Sequence, residues 1–153
     1  MKLSEWANVA EIGSAFAVVV SLVYVGFQIN QNTAAVKAST HQAMIDYGRE
    51  QSEILVTDAN LAALVKKSED DPSSLTPHER SQFYEFTTWR MAMWELAFLN
   101  HETGLVDDET WLAWEGYYRG LMMHKPGYAM FWKDNRESYD ARFLAHFDSA
   151  TKE

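Results

Sequence analysis

The segment from Ile12 to Phe27 constrains the fold of this chain more than any other feature, because it contains no charged side chain. Extended to residues 9–29, it would form a helix roughly 31 Å long at about 1.5 Å per residue. That length matches the hydrocarbon core of a bilayer, which is about 30 Å thick. Glu11 and Gln28 fall near the two edges of the segment, where water or lipid head groups would solvate them. The sequence therefore predicts a transmembrane helix over residues 9–29.

A signal peptide and a buried core helix can also give an apolar segment near the N-terminus. A signal peptide has a basic n-region and a small-residue cleavage motif, whereas here Glu5 and Glu11 precede the apolar run and no Ala-x-Ala motif closes it. A buried central helix would need covering on all sides by most of the other helices of a small bundle. Membrane spanning is favoured over both, with residues 1–8 as an N-terminal tail and residues 30–153 as a stalk and helical domain.

Small residues recur every four positions along the predicted span. Gly13, Ala17 and Ser21 therefore share one helix face. Small side chains at this spacing let two membrane helices approach closely, although they are also common in any membrane helix. The pattern favours a helix-packing face that serves self-association or docking against another protein's helix.

Helix signals follow one another beyond the span, and no strand pattern or repeat is present. We expect the membrane helix to continue as a long stalk, with or without a break near Asn30–Asn32. Asp58 is a candidate N-cap, and Thr76 begins a capping box with Pro at the first helical position. Further helices are expected at 59–67, from 77 to about 100, and at 108–124, 128–133 and 138–147. We therefore predict an all-α fold, with one N-terminal transmembrane helix continuing into a small helical bundle.

Composition and charge exclude several classes of protein. The chain carries 22 Asp and Glu against 13 Lys and Arg, a formal net charge of −9, which disfavours a non-specific nucleic-acid binder. It contains no Cys, which excludes disulfides, Cys-ligated zinc or iron–sulfur clusters and thiol catalysis. Hydrophobic residues make up 47% of the chain, which excludes global disorder.

No motif for catalysis or metal binding is present. None of the five histidines stands three or four positions from another, and there is no Glu-x-x-His pair of the kind that bundle-type di-metal sites use. Nucleophile elbows, Walker loops and dinucleotide-binding glycine motifs are missing as well. We therefore predict no catalytic residue, no cofactor and no metal site, and a chain that is not an enzyme.

Arg90 is a candidate buried charge. A helical wheel places it near Phe86 and Trp94, on the most apolar face of its predicted helix. A buried guanidinium is costly without a partner, so we expect an ion pair within the bundle. Anion recognition and a contact to a partner subunit are the two alternatives. The candidate acids for the ion pair are Glu50, Glu115, Asp134 and Asp140.

Large aromatic side chains occupy one face of the helix predicted at 108–124. Trp111, Trp114 and Tyr118 are candidate interface residues, because Trp and Tyr are enriched in the cores of protein interfaces. The alternative is that they fill the core of a small bundle. Gly116 and Gly120 lie on the opposite face, where a second helix could pack, from this chain or from another.

Three stretches of the chain resemble a known family. They are the apolar run ending in Gln28–Thr33, the segment Leu75–Arg80, and the segment Gly104–Asp107. In these the chain resembles a family of small uncharacterised bacterial membrane proteins with an N-terminal transmembrane helix and a C-terminal helical domain. The resemblance implies that topology and assigns no activity. In the family a basic residue often stands where this chain has Asn30.

The sequence favours a single-pass membrane protein that acts through protein–protein contacts, as an accessory or scaffold subunit or as a homo-oligomer. Its expected partners are membrane lipid and either itself or another membrane protein, not nucleic acid. We expect it in the bacterial inner (cytoplasmic) membrane. The basic residues flanking the span are nearly balanced, and the short tail is the simpler part to translocate, so we place the C-terminal domain in the cytoplasm.

The principal alternative function is a homo-oligomeric channel lined by the N-terminal helix. Four polar residues at the end of the span would then form rings at the pore mouth. They are Gln28, Asn30, Gln31 and Asn32. The centre of the span offers no polar stripe, which limits such a pore to a hydrophobic constriction. A ligand sensor or an enzyme is the lesser alternative.

Overall fold

The computed structural model of the chain describes residues 3–150. In that range every regular element is helical and no strand is present, which confirms the all-α prediction. The helices are α1 (Leu3–Thr57), α2 (Ala59–Asp70), α3 (Pro77–Glu102), α4 (Asp108–His124), α5 (Pro126–Asn135) and α6 (Ala141–Ala150), with short 3-10 helices at Pro72–Ser74 and Arg136–Ser138. Residues 1–2 of the predicted tail and residues 151–153 of the predicted domain lie outside the described residues.

Two helices begin at side-chain caps that the sequence predicts. The Asp58 carboxylate accepts hydrogen bonds from the backbone N–H groups of Asn60 and Leu61. At the start of α3, the Thr76 hydroxyl accepts from the Glu79 N–H while the Glu79 carboxylate accepts from the Thr76 N–H, which confirms the capping box. Each cap satisfies N–H groups that the first helical turn leaves without partners.

By its contacts the chain divides into two units, Met1–Ser39 and Thr40–Glu153. In the first unit every side chain that the structure describes is exposed. This unit contains the most apolar stretch of α1, which has a mean hydropathy of 2.0 with none of it buried. By length and composition α1 is able to cross a membrane. The helix is unbroken at Asn30–Asn32, where neither Pro nor Gly interrupts it.

The second unit is a helical bundle with an aromatic core. Helix α3 supplies more of the buried hydrophobic residues than any other helix of this unit. Helices α4, α5 and α6 pack aromatic rings against it. Trp94 is 1% exposed and lies within 6 Å of three other rings, measured between ring centroids. The fully buried large side chains include Phe83, Met91, Met93, Trp94, Tyr128, Phe131 and Phe143.

Candidate functional site

The buried charge that the sequence predicts lies near the middle of α3. Arg90 is 9% exposed and shares the buried face of the helix with Phe83, Phe86 and Trp94. The helical period places it there, four residues after Phe86 and four before Trp94. The prediction that Arg90 is buried is therefore confirmed.

The prediction that Arg90 forms an ion pair within the bundle is wrong. Among residues 3–150 no carboxylate forms an ion pair with Arg90; its two terminal nitrogens donate instead to the hydroxyls of Tyr117 and Tyr128. The guanidinium also lies 5.3 Å from the ring centroid of Phe86, 5.8 Å from that of Tyr117 and 5.7 Å from that of Tyr128. Ring faces attract cations, so aromatic side chains take the place of the predicted acid.

The four candidate acids are occupied elsewhere or exposed. Glu115 accepts a hydrogen bond from Trp94, and Asp134 accepts one from the Tyr84 hydroxyl. Of the other two, Asp140 pairs with Arg142, and Glu50 is exposed.

The Tyr128 hydroxyl supplies no counter-charge to Arg90 at neutral pH. Burial raises the pKa of Tyr128 to about 12, although the nearby Arg90 acts to lower it. Tyr128 is therefore a neutral hydrogen-bond acceptor at pH 7 and adds no negative charge beside Arg90.

A groove opens beside Arg90, which we call the Arg90 groove. Its volume is about 260 Å³. Its walls come from the second unit's part of α1 and from α3 and α4: Gly48, Gln51, Ser52, Leu55, Arg90, Ala113, Trp114, Tyr117 and Tyr118. Two buried nitrogens of these residues, Nε of Arg90 and Nε2 of Gln51, have no hydrogen-bond partner in the described part of the chain. Gln51 is 5% exposed.

The three candidate interface aromatics divide between the core and this groove. Trp111 is 6% exposed and Tyr118 is 3% exposed, and the Tyr118 ring stacks on Trp94 with 5.7 Å between centroids. Such burial fits the core-filling alternative and leaves these two rings little surface for a partner. Trp114 is half-buried and lines the Arg90 groove.

Glu115 is a second buried charged residue, and its contacts with Trp94 and His146 were not predicted. One carboxylate oxygen accepts from the Trp94 Nε1–H at 2.9 Å, and the other lies 3.0 Å from Nε2 of His146. Glu115 stands four residues after Trp111 and three before Tyr118, both buried. That helical spacing is the signal from which its burial follows.

The predicted helix-packing face has no neighbour in the described structure. Gly13, Ala17 and Ser21 are exposed, and a Cβ added at Gly13 would meet no atom within 4 Å among residues 3–150. The Ser21 hydroxyl donates to the Ala17 carbonyl at 2.8 Å, so its polar group is satisfied within the helix. The face is therefore smooth, and its hydroxyl needs no outside partner.

The four candidate pore-mouth residues do not share one side of α1. At about 100° per residue, Gln31 and Asn32 lie within roughly 60° of Gln28, whereas Asn30 lies roughly 160° away. Gln28 also donates to the Tyr24 hydroxyl at 3.0 Å. On a regular helix Asn30 would therefore face away from an axis that the other three residues face, and the pore mouth stays a prediction.

No family model, curated protein or solved structure matches the chain. Within the described residues, no group of three or more His, Asp or Glu side chains is placed to hold a metal ion.

Proposed function

We propose that this protein is a single-pass membrane protein, anchored by residues 9–29, whose helical domain acts through contacts with other proteins. It serves as an accessory or scaffold subunit, or as a homo-oligomer, in the bacterial inner membrane with the domain in the cytoplasm. One observation carries the proposal: the apolar part of α1 is exposed along its whole described length.

Exposing the apolar surface of α1 to water costs too much free energy for that surface to stay uncovered. Its large apolar side chains range from 47% exposed at Val25 to 71% exposed at Ile12. Full burial of one such side chain stabilises by about 1.5–3 kcal/mol, so covering the whole segment is worth on the order of 10 kcal/mol. That equals the stability of a typical folded domain. A lipid bilayer covers a helix of this length on every side.

Two further features support contacts between proteins. The face formed by Gly13, Ala17 and Ser21 is open and small, which suits close packing of helices in lipid. In the bundle, Gly116 is exposed and a Cβ there would meet no described atom within 4 Å. The face of α4 around Gly116 is thus open to a second helix.

A binding role is favoured over catalysis. The chain has no nucleophile motif, and its partly buried contact between His146 and Glu115 packs beside Phe98 and Trp111. A catalytic base must reach a substrate proton. The contacts of His146 with the Phe98 and Trp111 rings support a structural role.

Membrane extraction tests the anchor. Full-length protein is expected to stay with vesicles after washing at alkaline pH, which removes peripheral proteins. A variant with Val19→Arg and Val20→Arg is expected to lose most of this retention, because each Arg at the centre of a span costs about 2.5–3.5 kcal/mol. The matched control carries Val56→Arg and Leu112→Arg, at positions that are 84% and 66% exposed, and is expected to behave as wild type. Release of the wild-type chain by the wash would refute the anchor.

A further inference from the structure

We propose that the Arg90 groove binds a small organic monocarboxylate with a single aromatic ring or a short aliphatic body. The proposal concerns a ligand site in the second unit. It goes beyond the anchoring and scaffold role and does not depend on it.

The buried guanidinium lacks a counter-charge. Arg90 is 9% exposed, and within residues 3–150 it has hydroxyl and ring partners but no carboxylate. Burying an uncompensated cation is strongly unfavourable. The chain has an excess of acidic over basic residues, 22 against 13, so a shortage of acids does not explain the missing partner. A charge supplied from outside the chain would complete the pair.

The residues that line the groove include three that carry hydrogen-bond donors. Nε of Arg90 and Nε2 of Gln51 are buried N–H donors that lack an acceptor in the described structure. The Tyr117 hydroxyl accepts from Arg90 and therefore keeps its own O–H to donate. Three residues that line one groove thus offer donors, and an ionised carboxylate is an acceptor-only group with two oxygens. Bonds from a guanidinium to a carboxylate are also among the strongest in proteins.

The walls of the groove set the size and character of the ligand. Leu55, Ala113, Trp114 and Tyr118 give it apolar and aromatic surfaces. Its volume of about 260 Å³ lies just below the range of about 300–1,000 Å³ that holds drug-sized ligands. The ligand is therefore small, with an apolar body that contacts the rings.

Charge selects a monocarboxylate over phosphate. The groove lining contains one cationic residue, Arg90, and no second Arg or Lys. The whole chain carries a formal net charge of −9, which repels multiply charged anions. A single negative charge is matched by one guanidinium, whereas a phosphate dianion would remain half neutralised.

Calorimetric titration of the full-length protein in non-ionic detergent tests the proposal. The probes are benzoate and hexanoate, with benzamide as the neutral analogue of benzoate and inorganic phosphate as the competing anion. We expect saturable binding of at least one carboxylate, at least tenfold tighter than benzamide and phosphate. Equal binding of benzoate and benzamide would overturn the proposal, as would tighter binding of phosphate. So would the absence of any carboxylate binding with a Kd below about 10 mM.

Two variants locate the site independently. Arg90→Met is expected to weaken carboxylate binding at least tenfold, while Arg49→Met, which removes a 74% exposed arginine side chain, leaves it unchanged. Gly48→Leu fills the groove from α1, where a Cβ already comes within 3.8 Å of the Trp114 ring, and is expected to abolish binding without touching the guanidinium. Circular dichroism establishes that each variant is folded. Unchanged affinity in either folded variant would place the ligand elsewhere and overturn the assignment.

If neither variant folds, the affinities of the wild-type chain for carboxylate, amide and phosphate still test the proposal. A groove that binds an acidic protein segment but none of the small carboxylates would also refute the proposal. Because the titration uses detergent-solubilised protein, its failure would leave the membrane anchor untouched.

Discussion

Gly127→Ala tests the packing of α2 against α5, because the glycine brings the two backbones into contact. An added Cβ would clash with the Ser68 carbonyl oxygen, and it would lie 2.9 Å from the Ser68 carbonyl carbon and 3.2 Å from the Phe83 ring. Ser68 and Phe83 are both fully buried. The close atoms of Ser68 belong to the backbone, so no side-chain rotation relieves the clash. The two helices must separate.

The expected cost follows from overpacking. Inserting one carbon into a filled core usually costs about 1–3 kcal/mol, and movement of two helix backbones favours the upper end of that range. Replacing Gly by Ala in a helix returns up to about 1 kcal/mol of backbone propensity. We therefore expect Gly127→Ala to lower the free energy of unfolding by about 2 kcal/mol.

Gly116→Ala is the matched control, since a Cβ there meets nothing within 4 Å among the described residues and Gly116 lies in the interior of α4. Here only the propensity term acts, so the free energy of unfolding should rise by about 0.5–1 kcal/mol. Urea unfolding of the full chain in non-ionic detergent, followed by tryptophan fluorescence, measures both. At a slope of about 2 kcal/mol per molar urea, the midpoint should fall by about 1 M for Gly127→Ala. A midpoint that is unchanged or raised for Gly127→Ala would refute the reasoning.

Three further predictions concern a helix cap, a buried acid and the membrane helix. The hydrogen bond from Lys67, with those at the capping box, lowers the pKa of Glu79 to about 2. The ionised Glu79 carboxylate therefore stabilises the fold fully above pH 4.5, and this stabilisation is lost as the pH falls towards 2. The urea midpoint of Glu79→Gln should depend less on pH across that window than the midpoint of the wild type. Glu115→Leu removes the acceptor of the buried Trp94 indole N–H and should lower the free energy of unfolding by about 1–3 kcal/mol. Glu115→Gln keeps an acceptor oxygen and should lower it by less. Equal losses of stability in the two variants would contradict the role of this hydrogen bond. Gly13→Leu should reduce helix association measured by cross-linking in vesicles, and Val19→Leu on another face should not; an equal effect of both would argue against the small-residue face.

Helix boundaries were predictable where the chain carries its own start and stop signals. Helix α4 spans Asp108–His124 as predicted, because Asp107 caps its start and Pro126, which follows the C-cap Lys125, cannot continue it. Helix α2 continues to Asp70, three residues past its predicted end. The acidic run at 69–71 resembles a loop in sequence, but the ion pair between Lys66 and Asp70 lies along the last helical turn.

The candidate site was predictable only in part. The helical period gives the face of Arg90, because neighbours at four-residue spacing belong to the same helix. Its partners belong to α4 and α5, and their approach depends on how the helices pack, which no local pattern encodes. Tyr117 and Tyr128 were therefore missed. Gln51, a polar residue with a buried side chain, was missed for the same reason.

The membrane anchor is tested most directly by single-cysteine labelling, since the chain contains no cysteine of its own. Ser4→Cys, Ser21→Cys and Ser39→Cys each introduce one thiol, before, within and after the predicted span. In sealed vesicles of known orientation, a membrane-impermeant maleimide should reach the thiol at position 39 from the cytoplasmic side and the thiol at position 4 from the opposite side. The thiol at position 21 should react from neither side until detergent is added. Labelling of all three from the same side of intact vesicles would contradict a membrane-spanning helix.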